Sequence, residues 1–138
     1  AANIAIPNAT DTLVTLPPMA VNDDNMWVSS SNSVIVQTAG TYIVAAQIHF
    51  DLAAAGERFM HILLNGTSVT ANCVAAASQN PNNNAGTEGN AMLCMSPLLS
   101  LAVNATLYLS VFQSSGAALN LTTIRSACNL GIWRVGPQ

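Results

Sequence analysis

Charged side chains are scarce in this chain of 138 residues, where Asp, Glu, Lys and Arg together make up 7%. Lysine is absent, and the basic residues are Arg58, Arg125 and Arg134. Proteins that neutralise nucleic-acid phosphates or dock on anionic lipid need clustered Lys and Arg. We therefore expect no nucleic-acid partner and no membrane partner. Apolar residues make up 51%, so one chain cannot coat itself in charge, and we expect part of its surface to be covered.

Long apolar runs are missing as well. A membrane-spanning helix needs roughly 18 to 20 apolar residues, whereas the longest windows here, 42–50 and 98–103, have the length of strands. The visible N-terminus has no basic region followed by a long apolar stretch, which is the pattern of a signal peptide. Ala1 is what remains when an initiator Met is trimmed, so we expect a complete small gene product, with a removed leader as the alternative.

The three cysteines form no recognisable ligand or disulfide pattern. Cys73, Cys94 and Cys128 are odd in number and lack CxxC or Cys/His spacing, so neither a zinc site nor a disulfide framework is indicated. Because free Cys is among the most buried residue types, we expect buried free thiols. A bridge between Cys73 and Cys94 is the alternative.

Short runs rich in β-branched and aromatic residues alternate with clusters of Gly, Asn, Pro and Ser, and no window keeps a helical period. This pattern predicts an all-β chain, and Asn65-Gly66 predicts a hairpin turn. The polar segment 76–89 predicts an exposed loop that includes Asn80, Asn82, Asn83 and Asn84. The predicted strands are 12–16, 26–29, 33–37, 41–50, 58–65, 67–75, 90–95, 97–101, 106–113, 118–121 and 129–135.

Alternation within two strands indicates a sheet with two covered faces. One face of 41–50 is a continuous core row, while the other carries Ile43, Ala45 and Gln47 and is too uncharged for a solvated face. The last strand repeats this pattern, with Trp133 and Val135 on its second face. An all-β chain of this length has no helical layer that could cover the second face, so we expect another copy of the chain to cover it. The predicted core residues are Tyr42, Val44, Ile48, Phe50, Leu130 and Ile132.

Four ordered stretches resemble the C1q/TNF-like jelly roll, particularly its short bacterial and phage versions. Residues 39–50 match the Gly-x-Tyr strand of that family, and 58–67 match its hairpin with a basic residue and Asn-Gly. Residues 99–113 match its paired strands, and 129–136 match its closing strand. The resemblance covers most of 26–136, and it implies a ten-stranded, two-sheet sandwich that assembles as a homotrimer with one sheet facing the threefold axis.

Carried over residue by residue, the resemblance implies axis-facing side chains at Ile43, Ala45, Gln47, Trp133 and Val135, with Met92 and Cys94 as weaker candidates. Asn104-Ala105 replaces the usual Gly-Asp turn of the family, and no collagen-like Gly-x-y stretch is present. We divide the chain into a strand and extended arm over 1–25, packing on the jelly roll, and the jelly roll itself over 26–138.

Enzymatic, metal and sugar sites are weakly indicated. His49 and His61 lie on different predicted strands, and no GxSxG, HExxH or phosphate-binding Gly loop accompanies them, so we expect no enzyme and no cofactor. His49 allows a pH-sensitive interface. Asp23 and Asp24 are the weak candidates for a metal, since some C1q-like domains bind calcium. Trp27 and Trp133 more often fill a core or an interface than stack on sugars.

The leading hypothesis is a non-enzymatic trimer that serves as a bacteriophage virion protein, either a capsid decoration, a spike or a tail-tip component. Its threefold base would attach to a capsid or tail protein, and its loops would face outward toward a possible host-surface ligand. The alternative is a secreted C1q-like protein that binds a receptor or a glycan. The expected localisation is therefore the virion, with secretion as the alternative.

Overall fold

Two antiparallel β-sheets make up the protein. The computed structural model describes residues 3–16, 25–26, 32–53, 55–80, 90–122 and 128–137. Within these ranges the elements are β1 Ile4–Ile6, β2 Thr12–Leu13, β3 Ser33–Ile35, β4 Gly40–Phe50, β5 Arg58–Leu64, α1 Val69–Asn72, β6 Cys73–Gln79, β7 Asn90–Met95, β8 Leu99–Leu101, β9 Thr106–Gln113, β10 Leu119–Leu121 and β11 Asn129–Gly136.

Sheet A is built around the long strand β4. Ala45 pairs with Met95 of β7 and also with Gly131 of β11, so these two strands flank β4 on opposite sides. Strand β8 continues the ladder on the β7 side, and β10 continues it on the β11 side. Strand β1 then pairs with β10 at the outer edge. Sheet A is therefore four strands wide, because β10 and β11 lie end to end on one side of β4 and β7 and β8 lie end to end on the other. The order across the sheet is β1, β10–β11, β4, β7–β8.

Sheet B has the same plan around β5 and β9. Strand β5 pairs with β6 on one side and with β9 on the other. Strands β2 and β3 both pair with the far side of β9, at successive positions along it. Sheet B is therefore also four strands wide. Two antiparallel sheets of this width form a jelly-roll sandwich.

The core lies between the sheets and contains the residues that the alternation predicts. Strand β4 alternates between fully buried and half-buried residues along its whole length. Leu130 is 4% exposed, and Ile132 packs against the core as a partly buried residue. The other predicted core residues, Tyr42, Val44, Ile48 and Phe50, are all fully buried.

Some segments differ from the sequence prediction. The predicted strand 67–75 contains the short helix α1, and strand pairing starts only at Cys73. The predicted exposed loop 76–89 is wrong for residues 76–79, because β6 continues to Gln79 and pairs with β5. Strand β1 has no counterpart in the prediction, because three residues are too short to show an alternation. Of the predicted strand 26–29 the structure describes only Met26, which is buried.

The predicted tight hairpin turn at Asn65-Gly66 is wrong, because β5 ends at Leu64 and β6 begins only at Cys73, with α1 between them. Asn65 has a φ of 56°, in the left-handed region that Asn tolerates, whereas Gly66 has no positive φ. The Oδ1 of Asn65 accepts a hydrogen bond from the backbone N of Thr106 at 2.9 Å. Asn104 also has a positive φ, 68°, at the position where the family resemblance would place a Gly-Asp turn.

Two buried polar side chains close one end of the sandwich. Gln113 donates from Nε2 to the carbonyls of Ile6 and Ala117, and its Oε1 accepts from both the N and the Oγ of Ser115. Arg58 is fully buried and donates to the carbonyls of Ala53, Ala55 and Glu57. Burial lowers the pKa of the Arg58 guanidinium. These contacts tie the Arg58 side chain to three backbone carbonyls of the segment that precedes it.

Candidate interaction surface

The side of sheet A that faces away from sheet B is the candidate functional surface, and we call it the open face. Strand register determines its membership, because directly opposed residues of an antiparallel pair point to the same side. The open face contains Thr41, Ile43, Ala45, Gln47 and His49 of β4, Ala91, Leu93 and Met95 of β7, Ser100 of β8, and Asn129, Gly131 and Trp133 of β11.

The open face is a patch with exposed apolar side chains on both strands that flank β4. Leu93 and Met95 on β7 are 70% and 66% exposed, and Trp133 on β11 is 56% exposed. The small residue Ala45 lies between these strands, and its partner on β11 is Gly131, the smallest residue of the face. The remaining β4 residues of this face are half-buried. Most of the exposed large apolar side chains that the structure describes therefore lie on or beside one sheet.

No residue of the open face carries a formal charge at neutral pH when His is neutral. Arg134 of β11 pairs with Tyr42 on the opposite side of the sheet, and its Nη2 donates to the carbonyl of Ala39 at 3.0 Å. His49 is the one titratable side chain of the open face as defined, and its Nδ1 is buried without a hydrogen-bond partner among the described residues. An exposed, uncharged, apolar surface of this kind is typical of a protein interface.

Most of the residues predicted to face the threefold axis lie on or at the end of the open face. Ile43, Ala45, Gln47 and Trp133 lie together on the open face, as the alternation places them. Val135 is 54% exposed and lies at an irregularity of register between Arg134 and Gly136, at the end of this face.

Met92 and Cys94 are wrong as axis-facing residues. They pair with Ile48 and Ala46 of the core row and are 4% and 5% exposed. Both faces of this strand are apolar, so the sequence does not reveal which one points outward, and the register with β4 decides it. The residues that the prediction missed on this strand are Leu93 and Met95.

The outer side of sheet B differs from the open face because its aromatic side chains pack on one another. The rings of Phe59 and His61 stack with centroids 6.0 Å apart, and Phe112 meets Phe59 edge-on at 5.9 Å. On the same side Leu63 is fully buried and Ser110 is 1% exposed. Burial lowers the pKa of His61, and the carboxylate of Asp11 partly offsets that effect.

Other predicted sites have no support in the described residues. His49 lies on sheet A and His61 on the outer side of sheet B, so they do not form one site. No group of three or more His, Cys, Asp or Glu in the described ranges is arranged to hold a metal ion. Asp23, Asp24 and Trp27 lie outside the described residues, as do Asn82, Asn83 and Asn84, whereas Asn80 is described and exposed.

One cleft of about 310 Å³ lies at the turn between β8 and β9, where Leu64, Asn65 and residues 100–105 line it. Its lining contains no titratable side chain, so it offers no acid, base or charged nucleophile. None of the helices within the described ranges is long and apolar enough to cross a membrane.

The three thiols differ in accessibility. Cys73 is exposed, whereas Cys94 and Cys128 are buried, and all three are free. Burial raises the pKa of Cys94, with a further contribution from nearby Cys73, and burial raises the pKa of Cys128 to about 11. A thiol with that pKa is roughly 0.1% thiolate at pH 8, and the thiolate is the reactive form.

We expect one thiol of the folded protein to react rapidly with a chromogenic aromatic disulfide reagent at pH 8, because Cys73 alone is exposed. Cys94 and Cys128 should react only after unfolding in guanidinium chloride. A Cys73→Ser variant should lose the fast phase, and Cys128→Ser serves as its control. A count of no fast thiol, together with a Cys73–Cys94 peptide in a non-reducing digest, would instead establish the bridge.

The described residues form an all-β jelly-roll sandwich of two antiparallel sheets. No family model matches the chain, and no curated protein matches its sequence. Among solved structures, it is similar to the Eiger TNF of S. frugiperda, with a TM-score of 0.58 and 15% sequence identity over 97% of this chain and 92% of that chain. At this identity the likeness shows the fold alone.

Proposed function

We propose that the chain is a non-enzymatic binding module that acts as a homotrimer, with the open face of sheet A as the contact between subunits. The observation that carries the proposal is the open face itself, which exposes Leu93, Met95 and Trp133 around an uncharged floor. Apolar surface of this kind gains about 25 cal/mol per Å² when it leaves water, before association costs are subtracted.

The shape of the face favours a closed ring of subunits. Ala45 on β4 is small, whereas its partner Met95 and the neighbouring Leu93 on β7 are large and exposed, so the two parts of the face differ in height. A heterologous contact, in which the large β7 side chains of one subunit pack on the low part of the face of the next, closes as a cyclic assembly when the rotation matches. The family resemblance implies that the number of subunits is three.

The remaining surfaces are then available for partners. We propose that the trimer attaches by its threefold base and presents its loops outward, on a virion capsid or tail in the leading hypothesis. The alternative is a secreted protein that binds a receptor or a glycan.

Glycosylation separates these two settings. Asn-x-Ser/Thr sequons begin at Asn8, Asn65, Asn104 and Asn120. Asn8, Asn65 and Asn104 are exposed and Asn120 is half-buried, so the first three are accessible if the chain passes through a glycosylating pathway. Mass spectrometry of the native protein should find all four sequons bare in a phage product, and an occupied Asn65 or Asn104 would favour the secreted alternative.

The test of the assembly is the molar mass in solution. Size-exclusion chromatography with light scattering should give about three times the 14.3 kDa of one chain at micromolar concentration. A single 14.3 kDa species at every concentration would overturn the proposal, and so would a stable dimer.

A further inference from the structure

Gly131 occupies a position where glycine is not required by the backbone. It lies inside β11 opposite Ala45, and its φ is outside the left-handed region, unlike those of Gly56 and Gly116. Glycine inside a strand is unfavourable relative to alanine because it loses more conformational freedom and packs no side chain. What distinguishes Gly131 from Gly136 of the same strand is the space above its Cα.

The side chain of Trp133 occupies the space that a side chain at position 131 would need. A Cβ added to Gly131 would lie 2.9 Å from both Cζ2 and Cζ3 of the indole, and it would be closer still to Cη2. The six-membered ring of Trp133 therefore leans back along β11 and lies over the Cα of Gly131. It does so on the open face, and the indole is still 56% exposed.

We propose that Gly131 is a positioning residue for Trp133, and that the seated indole is an anchor of the subunit contact. This inference rests on the proposed function. A Trp133 ring that lies low over Gly131 lets a neighbouring backbone approach the open face at Ala45. An indole displaced by a methyl group at 131 stands higher and keeps the two subunits apart. Buried Trp residues at interface centres commonly dominate binding energy.

The far end of the indole is flexible, so Gly131→Ala should leave the subunit folded while it moves the ring. Gly136→Ala is the matched control, because it adds the same methyl group to the same strand where a Cβ meets nothing within 4 Å. Both variants are made with Trp27→Phe, which leaves Trp133 as the single Trp of the chain. Far-UV circular dichroism checks that the fold is retained.

Sedimentation equilibrium then measures the dissociation constant of the assembly. We expect Gly131→Ala to weaken assembly at least tenfold, and Gly136→Ala to change it less than twofold. The Trp133 emission of the dissociated chain should shift to longer wavelength in Gly131→Ala alone, because the displaced ring is more hydrated. An unchanged dissociation constant and an unchanged emission in Gly131→Ala would overturn the inference.

A double-mutant cycle tests whether Gly131 acts through Trp133. In the presence of Trp133→Ala, the further change Gly131→Ala should alter assembly less than twofold. An undiminished effect there would show that Gly131 serves the backbone and would refute the positioning role. If the parent protein is monomeric at all concentrations, the proposed function fails, while the emission comparison still decides whether Gly131 seats the indole.

Discussion

Ala45→Arg should abolish the assembly while the subunit stays folded. Ala45 lies at the centre of the open face between Gly131 and Met95, and no carboxylate of that face is available to pair with a guanidinium. Burying an unpaired charge costs several kcal/mol per ion even after relaxation. Because about 1.4 kcal/mol corresponds to a factor of ten, we expect the dissociation constant to rise by about a thousandfold or more.

The matched control is Ala76→Arg. Ala76 is exposed on β6 of sheet B, opposite His61, so the same substitution adds the same charge away from the proposed contact. Light scattering should report a trimer for Ala76→Arg and a single chain for Ala45→Arg at the same concentration. An intact trimer for Ala45→Arg would place the contact on another surface.

Phe50→Ala should cause a large loss of stability. Phe50 is fully buried at the end of β4, and its ring centroid lies 5.8 Å from Cζ of the buried Arg58. Removing the ring leaves a cavity and takes an aromatic face away from a guanidinium that cannot reach water. Large-to-small substitutions of this kind cost about 3–5 kcal/mol.

The measurement is urea unfolding at a fixed chain concentration, because assembly and stability are linked by mass action. Phe112→Ala is the control, since Phe112 is half-buried on the outer side of sheet B and its removal opens no cavity between the sheets. We expect Phe112→Ala to cost clearly less than Phe50→Ala. Equal losses would mean that the ring of Phe50 contributes no more than a surface aromatic.

The strand pattern and the residues of the β4 row could be predicted because their alternation is strong. Tyr42, Val44, Ile48 and Phe50 recur with period two, and the residues between them are apolar enough to indicate a second covered face. The same alternation identified the β4 residues Ile43, Ala45 and Gln47 of the open face. These predictions depend on one strand alone, so they needed no knowledge of register.

The alternation could not predict which side of β7 faces the core. Its residues are apolar on both sides, so Leu93 and Met95 could not be distinguished from Met92 and Cys94 without the pairing with β4. The position of the Trp133 ring over Gly131 could not be predicted from the sequence either. It depends on the direction of the Trp133 side chain, which the alternation of residues does not determine.

The burial of Arg58 is another feature that could not be predicted from the sequence. Arginine is rarely fully buried, and the acceptors of the Arg58 Nη atoms are backbone carbonyls of the preceding segment, whereas its Nε has no partner among the described residues. A carbonyl carries no sequence signature, so such a site is recognised only once the loop conformation is known.

Oxidation of Met95 tests most directly whether the open face is covered. Met95 is 66% exposed in the single chain, whereas Met26, Met60 and Met92 are 8% exposed or less. Dilute hydrogen peroxide converts accessible Met to the sulfoxide, and peptide mass spectrometry follows each position. In the assembled wild-type protein Met95 should react as slowly as Met92, and in Ala45→Arg it should react many times faster. Equal and rapid oxidation of Met95 in both proteins would contradict the account.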